Sequence, residues 1–176
     1  MAAKMAVAFK VSAEEAGEAA ATISNVYQMP IERVEALADA VNVLGNNTAA
    51  KEADIINVMT RIGGTARQFG LAAEEAAALG DAFIALGKPP EVAATAINAM
   101  LGKLQAAQAQ GAAFKDALAT LGLTADQLAA GLNAAPQQAL TDFLRQLQAL
   151  DGQTRAMVLT DLFGTEFADD VAVFVG

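Results

Sequence analysis

Three pairs of adjacent carboxylates, Glu14-Glu15, Glu74-Glu75 and Asp169-Asp170, are the residues here with the plainest capacity for acid–base chemistry. A glycosidase needs two such groups facing each other across a cleft, one of them with a raised pKa. Neighbouring residues on a helix project about 100° apart, so no pair faces itself. Acidic residues near a helix start instead favour the helix dipole. Gly63-Gly64-Thr65-Ala66-Arg67 has the glycines of a phosphate loop, but not its Gly-Lys-Ser/Thr ending or a preceding strand. It reads as a bend or a very close crossing inside a helix. Asn46-Asn47-Thr48 matches a glycosylation sequon, but without a secretion signal it reads as a turn followed by a cap. The chain has no Cys and no His, which removes thiolate chemistry, sulfur metal sites, the commonest acid–base group and the commonest nitrogen ligand. No catalytic, cofactor-binding or metal-ligating residue is therefore assigned, and no cofactor is expected.

The elements that would have to position any such group are helices. Ala supplies 44 of 176 residues and aromatic residues only 5%. Ala is the best helix former and lets helices approach closely. The core should be thin, built of Leu, Ile, Val, Met and Phe with Ala between them. Net charge is −9 and the eleven Lys and Arg are scattered singly, unlike the clustered basic face of a nucleic-acid binder. Mean hydropathy is high, +0.35. The longest uncharged run, residues 127–141, carries Asn133, Pro136 and several Gln, so it is no transmembrane span. Residues 1–10 lack a hydrophobic stretch long enough for a signal peptide.

In chain order, residues 1–10 look helical without a start signal. Ser12 with Glu15 forms a capping box, and a helix runs to about Tyr27 with Ala16, Ala19, Ala20 and Ile23 on one face. Pro30 suits the first position of a helix over 31–44. Thr48 or Asn47 should cap a helix over 49–69, whose stripe is Ile55, Met59, Ile62, Ala66 and Phe69. The start signal recurs at 71–75 with Ala72 in the cap position. Pro89-Pro90 opens a helix over 91–110, and a short one spans 114–121. Thr124 with Gln127 is another capping box, for a helix ending near Gly131. Helices follow over 136–150 and 153–163, with Leu140, Phe143, Leu144 and Leu147 facing inward in the first. Thr165 should cap a last helix with Phe167, Val171 and Phe174 on one side. Residues 171–175 are the only β-prone run. Met59 and Met100 read as core fillers, and Tyr27 as a half-buried core residue or a partner contact.

Residues 34–104 read as one two-helix unit written twice. Residues 34–45 and 76–87 share Ala-Leu-x-Asp-Ala-x-x-x-Leu-Gly, and Ile56-Asn57-Val58-Met59 matches Ile97-Asn98-Ala99-Met100. Gly45 and Gly87 each sit where a helix ends in a left-handed residue. Two amphipathic hairpins bury their apolar faces only by stacking. The expected fold is all-α, a bundle of about eight to ten short helices around this duplicated hairpin, without a substantial β-sheet.

Taken in order, the motifs carry a family resemblance. They are Ser12-Ala13-Glu14-Glu15-Ala16, Val34-Glu35-Ala36-Leu37-Ala38-Asp39-Ala40, Asn46-Asn47-Thr48-Ala49-Ala50, Arg61-Ile62-Gly63-Gly64 and Gly70-Leu71 before the Glu pair. Leu86-Gly87, Ala93-Ala94-Thr95-Ala96, Leu121-Gly122-Leu123 and Leu162-Phe163-Gly164 follow. The set resembles the conserved domain of tailed-phage tail tape measure proteins over nearly the whole chain. Each motif alone is a cap, a turn or a stripe; the specificity lies in their order. Ala72 departs from the pattern.

The resemblance implies a virion structural protein and not an enzyme. Such proteins lie in the tail-tube lumen in several copies, set tube length and leave ahead of the genome at infection. It implies tail-tube, baseplate or tail-tip proteins and assembly chaperones as partners, and a homo-oligomer within the tail. It implies no sequence-specific nucleic-acid binding, and the bacterial cytoplasm as the site of assembly. Residues 1–176 would be one all-helical domain, a hairpin core (34–104) and a C-terminal portion (112–176), within a longer protein. Even one unbroken helix of 176 residues reaches only about 260 Å. Two other classes stand beside this. The apolar surplus suits a generic helical interaction module. Some tape measure proteins also carry a cell-wall-degrading domain, for which no motif is present.

Overall fold

The computed structural model describes residues 2–9 and 11–176; among them every regular element is helical and no strand occurs. The helices are α1 (Ala2–Phe9), α2 (Ala13–Tyr27), α3 (Ile31–Asn47), α4 (Glu52–Phe69), α5 (Ala73–Ala85) and α6 (Pro90–Gln105). A 3-10 turn (Ala107–Ala109) leads to α7 (Ala112–Thr120), α8 (Ala125–Ala134), α9 (Pro136–Ala149), α10 (Gly152–Phe163) and α11 (Thr165–Val175). Met1 and Lys10, the ends of the first expected helix, lie outside the described residues. The helices gather into two compact units, Met1–Thr95 and Ala96–Gly176, and the division falls inside α6.

In the first unit α4 is the central helix, packed against α1, α2, α3 and α5. Its expected stripe is buried throughout: Ile55, Met59, Ile62 and Ala66 are fully enclosed and Phe69 nearly so. Fully burying each large side chain contributes about 1.5–3 kcal/mol. Two glycines set how closely its neighbours approach. A Cβ on Gly63 would lie 2.2 Å from Val26 Cγ1 and 3.0 Å from the Tyr27 ring, where α2 crosses α4. A Cβ on Gly80 of α5 would lie 3.1 Å from Val58 Cγ1 on α4. Gly64, by contrast, has open space around it.

Several helix ends differ from the sequence reading, each for a local reason. α2 ends with Gln28 in the left-handed region (φ 51). Pro30 is the N-cap residue of α3 and Ile31 its first helical residue. Gly87 is left-handed (φ 85) and ends α5 as expected, but Gly45 lies inside α3, which runs on to Asn47. Gly45 is needed for space: a Cβ there would lie 2.8 Å from Glu52 Cγ and Cδ. Glu52 opens α4 three residues later than expected. Lys51 is its N-cap and makes no side-chain bond, so neither Asn47 nor Thr48 caps it. Ala72 offers no oxygen to α5, and only half of a capping box survives, with Glu75 Oε2 accepting from the Ala72 amide at 2.8 Å.

The second unit packs α10 against α7 and α11, α9 against α8 and α11, and α8 against the 3-10 turn. Phe143 and Phe163, both enclosed, meet edge to face with centroids 6.5 Å apart. Asp151 caps α10, its Oδ1 accepting from the Gln153 and Thr154 amides. Arg155 donates to Leu150 O and Val175 O, so one guanidinium closes the carboxyl ends of α9 and α11. Residues 171–175 are helical. α11 buries Ala168, Val171 and Val175, rotated from the expected Phe167, Val171, Phe174 face. Gly164, not Thr165, precedes its first turn.

The paired glycines of α4 should behave oppositely. Gly64→Ala should raise stability by about 1 kcal/mol, the helix-propensity difference. Gly63→Ala should lower it by up to about 2 kcal/mol, because overpacking of about 1–3 kcal/mol outweighs that gain. Urea denaturation of the two variants checks this, and equal midpoints would contradict the close crossing.

Candidate functional site

In two of the three carboxylate pairs one member, Glu15 or Glu75, caps the helix that carries it. Glu15 Oε2 accepts from the Ser12 amide at 2.8 Å while Ser12 Oγ accepts from the Glu15 amide at 3.1 Å, the full capping box. The Ser12 backbone amide, then its hydroxyl, holds the Glu15 carboxyl below the usual carboxylate range. Asp151 is held low in the same way by Thr154. Such groups add stability above the unfolded carboxylate pKa, and it is lost as pH falls through the folded value. Glu74 pairs with Arg33 at 3.2 Å on the surface, an interaction of about 0–1 kcal/mol. Asp169 is exposed on α11.

The apparent phosphate loop is helix interior. Arg67 Nη1 donates to Val26 O at 3.2 Å, tying α4 to the end of α2. In the apparent sequon, Asn47 Nδ2 donates to Val43 O at 2.6 Å. Thr48 Oγ1 accepts from the Ala50 amide at 3.1 Å and donates to Asp81 Oδ1 at 2.7 Å. Asp81 is 5% exposed, and this bond joins the turn after α3 to the middle of α5. Arg33 near the start of α3 likewise meets Glu74 near the start of α5, so the two helices run in the same direction. Tyr27 is a buried core residue whose hydroxyl donates to Met59 O at 3.0 Å. Met59 and Met100 are fully enclosed.

A groove of about 470 Å³ lies between α2 and α4, lined by Glu15, Glu18, Thr22, Ile56, Asn57 and Arg61 among others. Arg61 Nε donates to Asn57 Oδ1 at 2.6 Å within it. Among the described residues, no group of three or more Asp and Glu side chains is placed to hold a metal ion. No helix is long and apolar enough to cross a membrane. Many of the side-chain hydrogen bonds sit at helix termini or between neighbouring turns of one helix on the protein surface.

Comparison with known proteins gives that surface a context. The family model described as "Phage-related minor tail protein" matches residues 1–164. The chain belongs to this family. The "Probable tape measure protein" of Halomonas phage phiHAP-1 is 33% identical over 165 residues. The match takes in 94% of this chain and 19% of that protein. No solved structure matches.

For this member of the minor tail protein family, the Thr48–Asp81 link is one polar feature that the sequence reading missed. Its signal was the phase of Asp81, four residues after Ala77 and three before Ile84, both buried. A carboxylate on the buried phase of a helix needs a donor. Thr48→Val should therefore cost about 1–3 kcal/mol in thermal or urea unfolding, the penalty for leaving a buried acceptor without its donor. An unchanged midpoint would show that solvent already satisfies Asp81.

Tyr27 gives a second readout, since the chain has one Tyr and no Trp. Burial pushes its phenol well above its ordinary value. With the folded pKa raised, its contribution is fully present below the unfolded pKa of about 10 and is lost as pH rises beyond it. Alkaline absorbance titration should show tyrosinate only as the protein unfolds. A reversible titration near pH 10 in the folded protein would place the ring in solvent.

Proposed function

We propose that the chain is a folded segment of a tail tape measure protein, acting in tail assembly as part of the component that sets tube length. The observation that carries this is the 33% identity to the phiHAP-1 protein over 94% of the chain, together with the family match. That relative is much longer, since the chain spans 19% of it. The role is structural: the lumen of the tail tube is its site, several copies lie side by side there, and it leaves ahead of the genome at infection. Tube and baseplate or tail-tip proteins, with assembly chaperones, are its partners.

The helix lengths support a division of labour within such a protein. The longest helix, α4, has 18 residues and spans about 27 Å at about 1.5 Å per residue. Helices this short add little to a ruler's reach, so this segment supplies surface for contacts and not length. Exposed apolar side chains, among them Val43 at 59% and Met157 at 58%, are available for such contacts.

The test is an in-frame deletion of this segment in the phage or prophage that encodes it, with particles counted and measured by electron microscopy. Loss of tails, or tails of disturbed length, is expected. Normal numbers of normal-length tails would refute the proposal.

A further inference from the structure

We draw no further inference here: the strongest candidate, the groove between α2 and α4 lined by Glu15, Glu18, Asn57 and Arg61, carries nothing because nothing in the structure shows what covers it.

Discussion

The fold of the first unit depends on how close α4 can come to the helices around it. At Gly63 the α2 side chains Val26 and Tyr27 occupy the space a Cβ would take, and at Gly80 the α4 side chain Val58 does the same against α5. Close approach suits a chain with this much Ala and few aromatic residues. Small side chains bury little area each, so the contact has to be tight for dispersion to accumulate. The same closeness brings Tyr27 within reach of Met59 O, which satisfies a hydroxyl that burial would otherwise leave costly. A glycine in mid-helix costs roughly 1 kcal/mol relative to Ala, and the crossing at Gly63 offsets that cost. Gly64 has no such contact.

Closely packed helices leave their ends as the main unsolved problem, because each end exposes unpaired amides or carbonyls. Much of the polar chemistry of this chain is directed there. Glu15, Glu75, Gln127 and Asp151 accept from amides at helix starts, while Arg67 and Arg155 donate to carbonyls at helix ends. A carboxylate committed to its own cap is poorly placed to shuttle protons, and one held below its ordinary pKa is a weak base. Of the residues that looked most chemical in the sequence, Glu15 and Glu75 are thus occupied in building the scaffold. The family match places the chain among phage-related minor tail proteins.

Features fixed by local chemistry were legible in the sequence. The capping boxes at Ser12 and Thr124 formed as read, and the α4 stripe was buried residue for residue. What escaped depends on partners distant in sequence or on a choice of helical phase. Gly45 follows an apolar stripe and so resembles a stop; only the folded position of Glu52 shows that the glycine makes room. In α11 the faces Phe167-Val171-Phe174 and Ala168-Val171-Val175 share Val171 and are equally periodic. Packing selected the second, smaller face against α9 and α10. Thr48 has the residue type of a cap and its hydroxyl does accept a nearby amide, but nothing around Thr48 itself signals its longer-range bond to Asp81, whose trace lies in the buried phase of Asp81. The two Asp residues of the sequence repeat diverge in the same way: Asp81 is buried and Asp39 exposed.

This divergence bears on how such a segment works. Matching positions in two similar stretches of sequence, Asp81 turned to the core and Asp39 to water, keep a common helical pattern while presenting different surfaces. A bundle held by small-residue crossings can vary its exposed positions without touching α4, because surface substitutions away from caps and crossings change stability by only about 0.5 kcal/mol. The constraints on this chain therefore fall on Gly63, Gly80, the Thr48–Asp81 bond and the caps, while the outward faces are free to follow whatever they contact. On the proposed reading, those contacts are with other tail proteins, and a segment that does its work by fitting them needs stable helices and adaptable surfaces more than it needs any reactive group.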